Sequence, residues 1–146
     1  GIDRVDILGV NDGPDNDYVA QEAGGLDALD DHDLVVIHVE APDAAGHAGD
    51  IDAKIAAIEA IDREVVHQAL QYRGALRILA MPDHPTPVAL KTHVGEAVPF
   101  VLYGPGIHPN GAHGYCETGA SETGLYVDPG RRVMDLLLDS RSAGRR

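Results

Sequence analysis

Leu34-Val-Val-Ile-His-Val39 is a continuous, β-branched apolar run, the pattern of a strand buried on both faces. A segment read as a loop, Glu40 to Gly49, separates it from an amphipathic stretch that begins at Asp50. In that stretch Ile51, Ile55, Ile58, Asp62 and Val65 share one helical face, four of the five apolar, and Ile61 and Leu70 widen the stripe. Asp50 is placed to cap the helix, and Asp52 lies at the positive end of its dipole. Glu59 and Arg63 have the spacing of an i,i+4 ion pair, and Gly74 is the expected stop. Ile78-Leu-Ala-Met81, closed by Pro82, reads as a second strand. Strand, helix and strand in this order, with a crossover of a dozen or more residues, predict a right-handed βαβ unit with parallel strands. The expected fold class is therefore α/β, a mostly parallel sheet flanked by helices.

The flanking sequence fills in the outline. Asn11-Asp-Gly-Pro-Asp-Asn-Asp17 is turn chemistry, and Tyr18 to Leu29 reads as an Ala-rich helix. Val98-Pro-Phe-Val-Leu-Tyr103 is a third strand, with Pro99 at an edge or at the strand start, and Gly104-Pro-Gly106 ends it. His108 to Tyr126 reads as loop and Val133 to Leu138 as a short helix. Residues 1–146 are read as one domain, with 139–146 a disordered tail.

Composition narrows the function classes. The chain has 146 residues, 44% hydrophobic, with only 4% aromatic and no Trp, so its core must be built from Val, Ile, Leu and Ala. A formal net charge of −13 argues against nucleic acid and against anionic membrane surfaces, since both reward Lys and Arg. It also repels an anionic substrate unless bound cations reverse the local field. One cysteine, Cys116, excludes an internal disulfide and fits a reducing, cytoplasmic compartment. No apolar run approaches the ~20 residues of a membrane helix. The start, Gly1-Ile-Asp-Arg-Val5, has no secretory leader pattern and no Met, and is expected to belong to a processed chain or to a piece of a longer one.

In parallel α/β sheets, ligands bind beyond the carboxyl ends of the strands. Asp43 and His47 follow the first strand, and Asp83 and His84 follow the second, so the two clusters are expected to meet at one edge. Carboxylate oxygen with imidazole nitrogen suits Zn, Mn or Fe. Asp83 and His84, adjacent on a strand extension, should point apart, and His93 lies beyond a Pro-Thr-Pro turn able to fold it back. Five such groups exceed what one tetrahedral ion needs, which favours two ions a few ångströms apart, the arrangement that clamps phosphoryl groups. A single histidine near a strand end is more often a hydrogen-bonded structural residue; two clusters at successive strand ends shift the balance. His38, inside a strand, reads as a core residue or as the neighbour that orients a ligand, and Glu40 as an orienting carboxylate. His32, His67 and His108 read as surface, Lys54 and Lys91 as solvated lysines able to touch phosphate, and Thr86 and Thr92 as backbone caps.

Four segments carry a resemblance: His38-Val-Glu-Ala-Pro-Asp-Ala-Ala-Gly-His-Ala-Gly-Asp50, Lys54-Ile-Ala-Ala-Ile-Glu-Ala-Ile-Asp62, Met81-Pro-Asp-His-Pro-Thr-Pro-Val-Ala-Leu-Lys-Thr-His93 and Val98-Pro-Phe-Val-Leu-Tyr-Gly-Pro-Gly106. Together, from about Gly9 to Leu138, they resemble the archaeal-type cofactor-independent phosphoglycerate mutases of the alkaline phosphatase superfamily. The resemblance implies an alkaline-phosphatase-like core of which this chain is the C-terminal part. It implies interconversion of 3- and 2-phosphoglycerate through a phosphoserine, with two divalent ions (Mn, Zn or Co) and a small phosphorylated three-carbon acid as substrate. By the same resemblance Asp43, His47 and His93 are ligands of one ion, and Asp83 and His84 of the other. An Asp-Gly pair and the nucleophilic Ser belong to an upstream part without counterpart here; Ser121 resembles a segment that is not nucleophilic. Asn11-Asp-Gly13 departs from the Gly-Ala-Thr-Gly-like turn of the family. At most one well-formed metal site, no activity alone, and self-association through an uncovered apolar face are therefore expected. Two other readings keep the metal: a non-catalytic metal-binding or assembly module, and a phosphatase or sulfatase of the same superfamily.

Overall fold

The computed structural model describes residues 2–13 and 15–138. The chain divides into two compact units, Gly1–Arg73 with Thr86–Val94, and Gly74–Pro85 with Gly95–Arg146. The tail expected at 139–146 lies outside the described residues.

The first unit is helical. Asn11 Oδ1 accepts from Gly13 N at 2.7 Å, and Asn16 Oδ1 accepts from Asn11 N at 3.0 Å, closing the expected turn. Asp17 caps α1 (Tyr18–Ala28) by accepting from Ala20 N at 2.9 Å. Glu40 to Gly49 forms a helix, α2 (Ala41–Ala48), where a loop was expected. The signals lie in its sequence: four alanines, Pro42 in the first turn and Gly49 just past the end. Gly49, at φ 78°, donates to Gly46 O and Asp50 to Ala45 O, the paired bonds of a Schellman stop. Asp50 then caps α3 (Ile51–Ala60), accepting from Ala53 N at 2.9 Å, as its position predicted. The helix runs on through a π-helical stretch, Ile61–Val66, into α4 (His67–Ala69). Arg63 pairs with Glu64 at 2.6 Å instead of the expected Glu59. A π register widens the turn, so residues four apart no longer stack.

Residues 34–39 belong to no strand. β-branched side chains make a segment fit for a sheet, but a strand exists only through a paired neighbour. Here one backbone carbonyl of the run has a different partner, since Gln21 Nε2 donates to His38 O at 2.6 Å and is itself held by Asn16 at 2.8 Å. α1 lies directly against the run, because a Cβ on Gly25 would stand 2.7 Å from Ile37 Cδ1.

In the second unit, β1 (Ile78–Ala80) pairs antiparallel with β2 (Val101–Tyr103), Leu79 opposite Leu102. Both strands lie where the sequence placed them, shorter by one residue and three. Among the described residues this is the one ladder, so the mostly parallel sheet is not what the structure contains. The helical crossover is present, but the strand before it has no partner. The segment read as loop holds α5 (Glu117–Glu122), and α6 (Val133–Leu138) follows a short 3₁₀ turn. Arg77 ties the unit together, donating to Pro105 O at 2.9 Å and to Leu137 O at 3.1 Å.

The expected core stripe is partly uncovered. Ile51, Ile55 and Ile58 are 58%, 51% and 51% exposed, and only Val65 of that face is buried. The first half of the amphipathic stripe is thus about half covered. No helix among the described residues is long and apolar enough to cross a membrane.

Glu22, on α1, is 6% exposed, and its Oε1 has no hydrogen-bond partner. Burial, and secondarily Asp27, raise its carboxyl above the usual range. A folded-state pKa above the unfolded one stabilises fully below about pH 4.5, the ordinary value, and the contribution is lost as pH rises through the folded value. Glu22→Gln should therefore raise the thermal midpoint at pH 7. The gain should shrink below pH 4.5; an equal or lower midpoint at pH 7 would refute the assignment.

Candidate metal centre

α2 determines the geometry of the first cluster. Asp43 in its first turn and His47 in its last are four residues apart, so both project from one face. His93 joins them from the Thr86–Val94 segment of the same unit. His47 Nε2 stands 2.9 Å from His93 Nε2 and 3.3 Å from Asp43 Oδ2, and His93 Nε2 stands 3.3 Å from Asp43 Oδ1. Ligands at 2.0–2.1 Å around a tetrahedral ion lie about 3.3–3.4 Å apart. Each imidazole nitrogen thus stands about an edge length from one oxygen of Asp43, with the two nitrogens closer together, and the mixture of carboxylate oxygen and imidazole nitrogen fits Zn or Mn. His47 and His93 are roughly half exposed, which leaves one side open to a small ligand.

The surroundings set the protonation pattern. His47 Nδ1 lies 3.0 Å from Lys91 O. A carbonyl only accepts, so Nδ1 carries a proton, and the ring is turned with Nε2 toward Asp43 and His93, the nitrogen a metal would take. Lys91 reaches this position at φ 55°, a left-handed conformation unusual for a residue with a side chain. Its Nζ donates to Ala48 O at 3.1 Å, at the carbonyl end of α2. Lys54 Nζ donates to Thr86 O at 2.6 Å, and Thr86 Oγ1 donates to Asp43 Oδ1 at 2.5 Å. Both lysines, expected to be solvated, bond backbone carbonyls instead, and Thr86, expected to cap backbone, bonds the Asp43 carboxylate. No local pattern marks these partners, which lie 32 to 44 residues away in sequence.

In the second unit Asp83 and His84 turn toward each other, His84 Nε2 at 3.2 Å from Asp83 Oδ2. They were expected to point apart. His84 N donates to Asp83 Oδ1 at 3.0 Å, a local bond that bends the chain here and removes the strand-like alternation. His38 is exposed, not core, because its run joins no sheet; its Nε2 lies 3.6 Å from Glu40 Oε2. Glu40 precedes α2 without capping it through its side chain. Ser121 Oγ donates within α5, to Thr118 O at 2.8 Å.

Residues 10–138 match the family described as the metalloenzyme superfamily. The chain belongs to that superfamily. Within it, the chain is 43% identical over 143 residues to a Geobacter sulfurreducens protein named "Probable 2,3-bisphosphoglycerate-independent phosphoglycerate mutase", covering 95% of this chain and 36% of that one. It is 38% identical over 141 residues to 2,3-bisphosphoglycerate-independent phosphoglycerate mutase 2 of Methanothermobacter thermautotrophicus, covering 95% and 35%. The solved PH0037 protein of Pyrococcus horikoshii superposes with a TM-score of 0.87 at 25% identity, over 96% of this chain and 43% of that one. The chain spans about a third of the length of the curated relatives it matches.

Gly46 lies between Asp43 and His47 on α2. A Cβ there would stand 2.7 Å from Thr86 O and 2.9 Å from Thr86 Cγ2. Gly→Ala in a helix ordinarily gains up to about 1 kcal/mol, whereas overpacking costs about 1–3 kcal/mol. The backbone contact cannot yield cheaply, so Gly46→Ala should lower stability by about 1–2 kcal/mol. Chemical denaturation checks this, and a stabilised variant would sink the close-approach argument.

Proposed function

We propose that this chain is the metal-ligating part of a phosphoglycerate mutase that interconverts 3- and 2-phosphoglycerate through a phosphoserine. The observation that carries the reading is the Asp43, His47 and His93 trio at tetrahedral spacing, in a chain matched along 95% of its length by proteins bearing that name. Asp43, His47 and His93 hold one divalent ion, and Asp83 and His84 contribute to a second; Mn, Zn and Co all suit such donors. Bound there, the ions supply positive charge for a transferring phosphoryl group and lower the pKa of an attacking hydroxyl. The chain's own residues would orient those ions, with His47 Nδ1 donating its proton to Lys91 O and the Asp43 carboxylate held by Thr86. The acidic surface, at net −13, is then compatible with an anionic substrate, because the ions reverse the field where it binds.

The reading extends to what the longer relatives carry. An upstream segment supplies the nucleophilic serine and the remaining ligands, pairs with residues 34–39 in a mostly parallel sheet, and covers Ile51, Ile55 and Ile58. Without it the apolar stripe drives self-association, and the 146-residue chain turns over no phosphoglycerate. The intact enzyme works in the cytoplasm.

The test is a coupled assay of 3-phosphoglycerate conversion by the full-length protein. Turnover should vanish on chelation and return with Mn²⁺, Zn²⁺ or Co²⁺, and Asp43→Ala should lower kcat at least about a hundredfold. Mutase turnover unaffected by chelator would overturn the metal role. Hydrolysis of phosphate or sulfate esters without mutase activity would replace the mutase by a phosphatase or sulfatase.

A further inference from the structure

We infer that Thr86 is a positioning residue whose hydroxyl fixes the rotation of the Asp43 carboxylate and thereby sets the affinity of the Asp43, His47 and His93 site for its ion. This rests on the metal reading above. Thr86 is 4% exposed, so its hydroxyl has almost no access to water and must find its partner in the protein. That partner is Asp43 Oδ1, at 2.5 Å. An ionised carboxylate only accepts, so the proton on the bond belongs to Thr86.

The hydroxyl is itself held from several directions. Thr86 stands between Pro85 and Pro87, and a residue preceding proline is kept out of the helical region of the backbone. Its carbonyl is anchored by Lys54 Nζ at 2.6 Å. The absence of a side chain on Gly46 lets its carbonyl and its Cγ2 approach α2. Pro87 O accepts from both Leu90 N and Lys91 N at 2.9 Å, which fixes the chain as it leaves Thr86.

The consequence is chemical. A carboxylate in a mixed Asp and His site is free to rotate about its last bond, and each orientation presents a different oxygen at a different angle. One acceptor direction of Oδ1 is already committed to Thr86. The carboxylate plane is then set before an ion arrives, with Oδ1 toward His93 Nε2 and Oδ2 toward His47 Nε2, each at 3.3 Å. The ion does not have to order the ligand on binding.

The experiment is competition between the full-length protein and a chromophoric chelator for Zn²⁺ alone, with thermal melts of the metal-free proteins alongside. Thr86→Val keeps the shape and removes the hydroxyl; it should weaken Zn²⁺ binding about 10–100-fold, while Thr86→Ser should stay within about threefold of wild type. If the valine variant does not fold, Thr86→Ala against Thr86→Ser is read in the same way. Loss of binding in valine and serine variants alike would assign the effect to the buried methyl group and overturn the inference. Wild-type affinity in a folded valine variant would overturn it as well, leaving the metal site standing. A wild-type protein that binds no Zn²⁺, Mn²⁺ or Co²⁺ would remove the metal reading and this role with it.

Discussion

The carboxylate of Asp43 is held by a buried threonine, and the imidazole of His47 by a strained backbone carbonyl, and both holders come from the same short segment. Without Thr86–Val94 laid along α2, the helix would present two side chains with free rotation. With the segment in place, it presents two oriented donors and gains a third in His93. The rest of the first unit serves this contact. Gly46 permits the approach, Lys54 anchors the Thr86 carbonyl, and the Schellman stop at Gly49 turns the chain so that α3 can begin at Asp50. Polar bonds carry much of this arrangement: among the described residues of the first unit, the buried apolar side chains are Ala41, Ala45 and Val65.

A hydrogen bond formed out of water is worth more than the same bond at the surface, and a buried group left without one costs more still. Thr86 and Asp43 are therefore coupled in both directions. The buried hydroxyl needs the carboxylate as much as the carboxylate needs a fixed plane. The same rule makes Glu22 a weak point, since it shares the burial without the partner. The two residues show how one unit can hold a polar group that organises a site and another that burdens the fold.

The candidate donors stand out in the sequence because Asp and His at short spacing are rare residue types. Asp43 and His47 were read from their place after an expected strand, whereas the structure brings them together by their i,i+4 spacing on a helix; Asp50 was recognisable as a cap. α2 was expected as a loop, because Pro42 and Gly46 suggest one when composition is weighed without position; Pro in a first turn and the four alanines of the segment argue the reverse. The Leu34–Val39 run failed for another reason. Its side chains specify compatibility with a sheet, while pairing depends on residues outside the run, and no local pattern reports those. Thr86, Lys54 and Lys91 were invisible as functional neighbours since their role depends on which carbonyl or carboxylate the fold brings within 3 Å. The superfamily assignment and the TM-score of 0.87 show that the fold is nonetheless a familiar one.

Thr86, Lys91 and His93 lie within eight residues, and each addresses a different part of the trio: one the carboxylate, one the proton of an imidazole, one supplying the remaining nitrogen. The segment is thus a ruler as well as a strap. Its length, more than the identity of the residues between, sets the position of His93 relative to Asp43 and His47 on α2. A single insertion or deletion between Thr86 and His93 would shift the carbonyl and the nitrogen relative to the hydroxyl. Substitutions at the intervening Val88, Ala89 and Leu90 leave that register alone. Sequence drift is then tolerated here where changes of length are not.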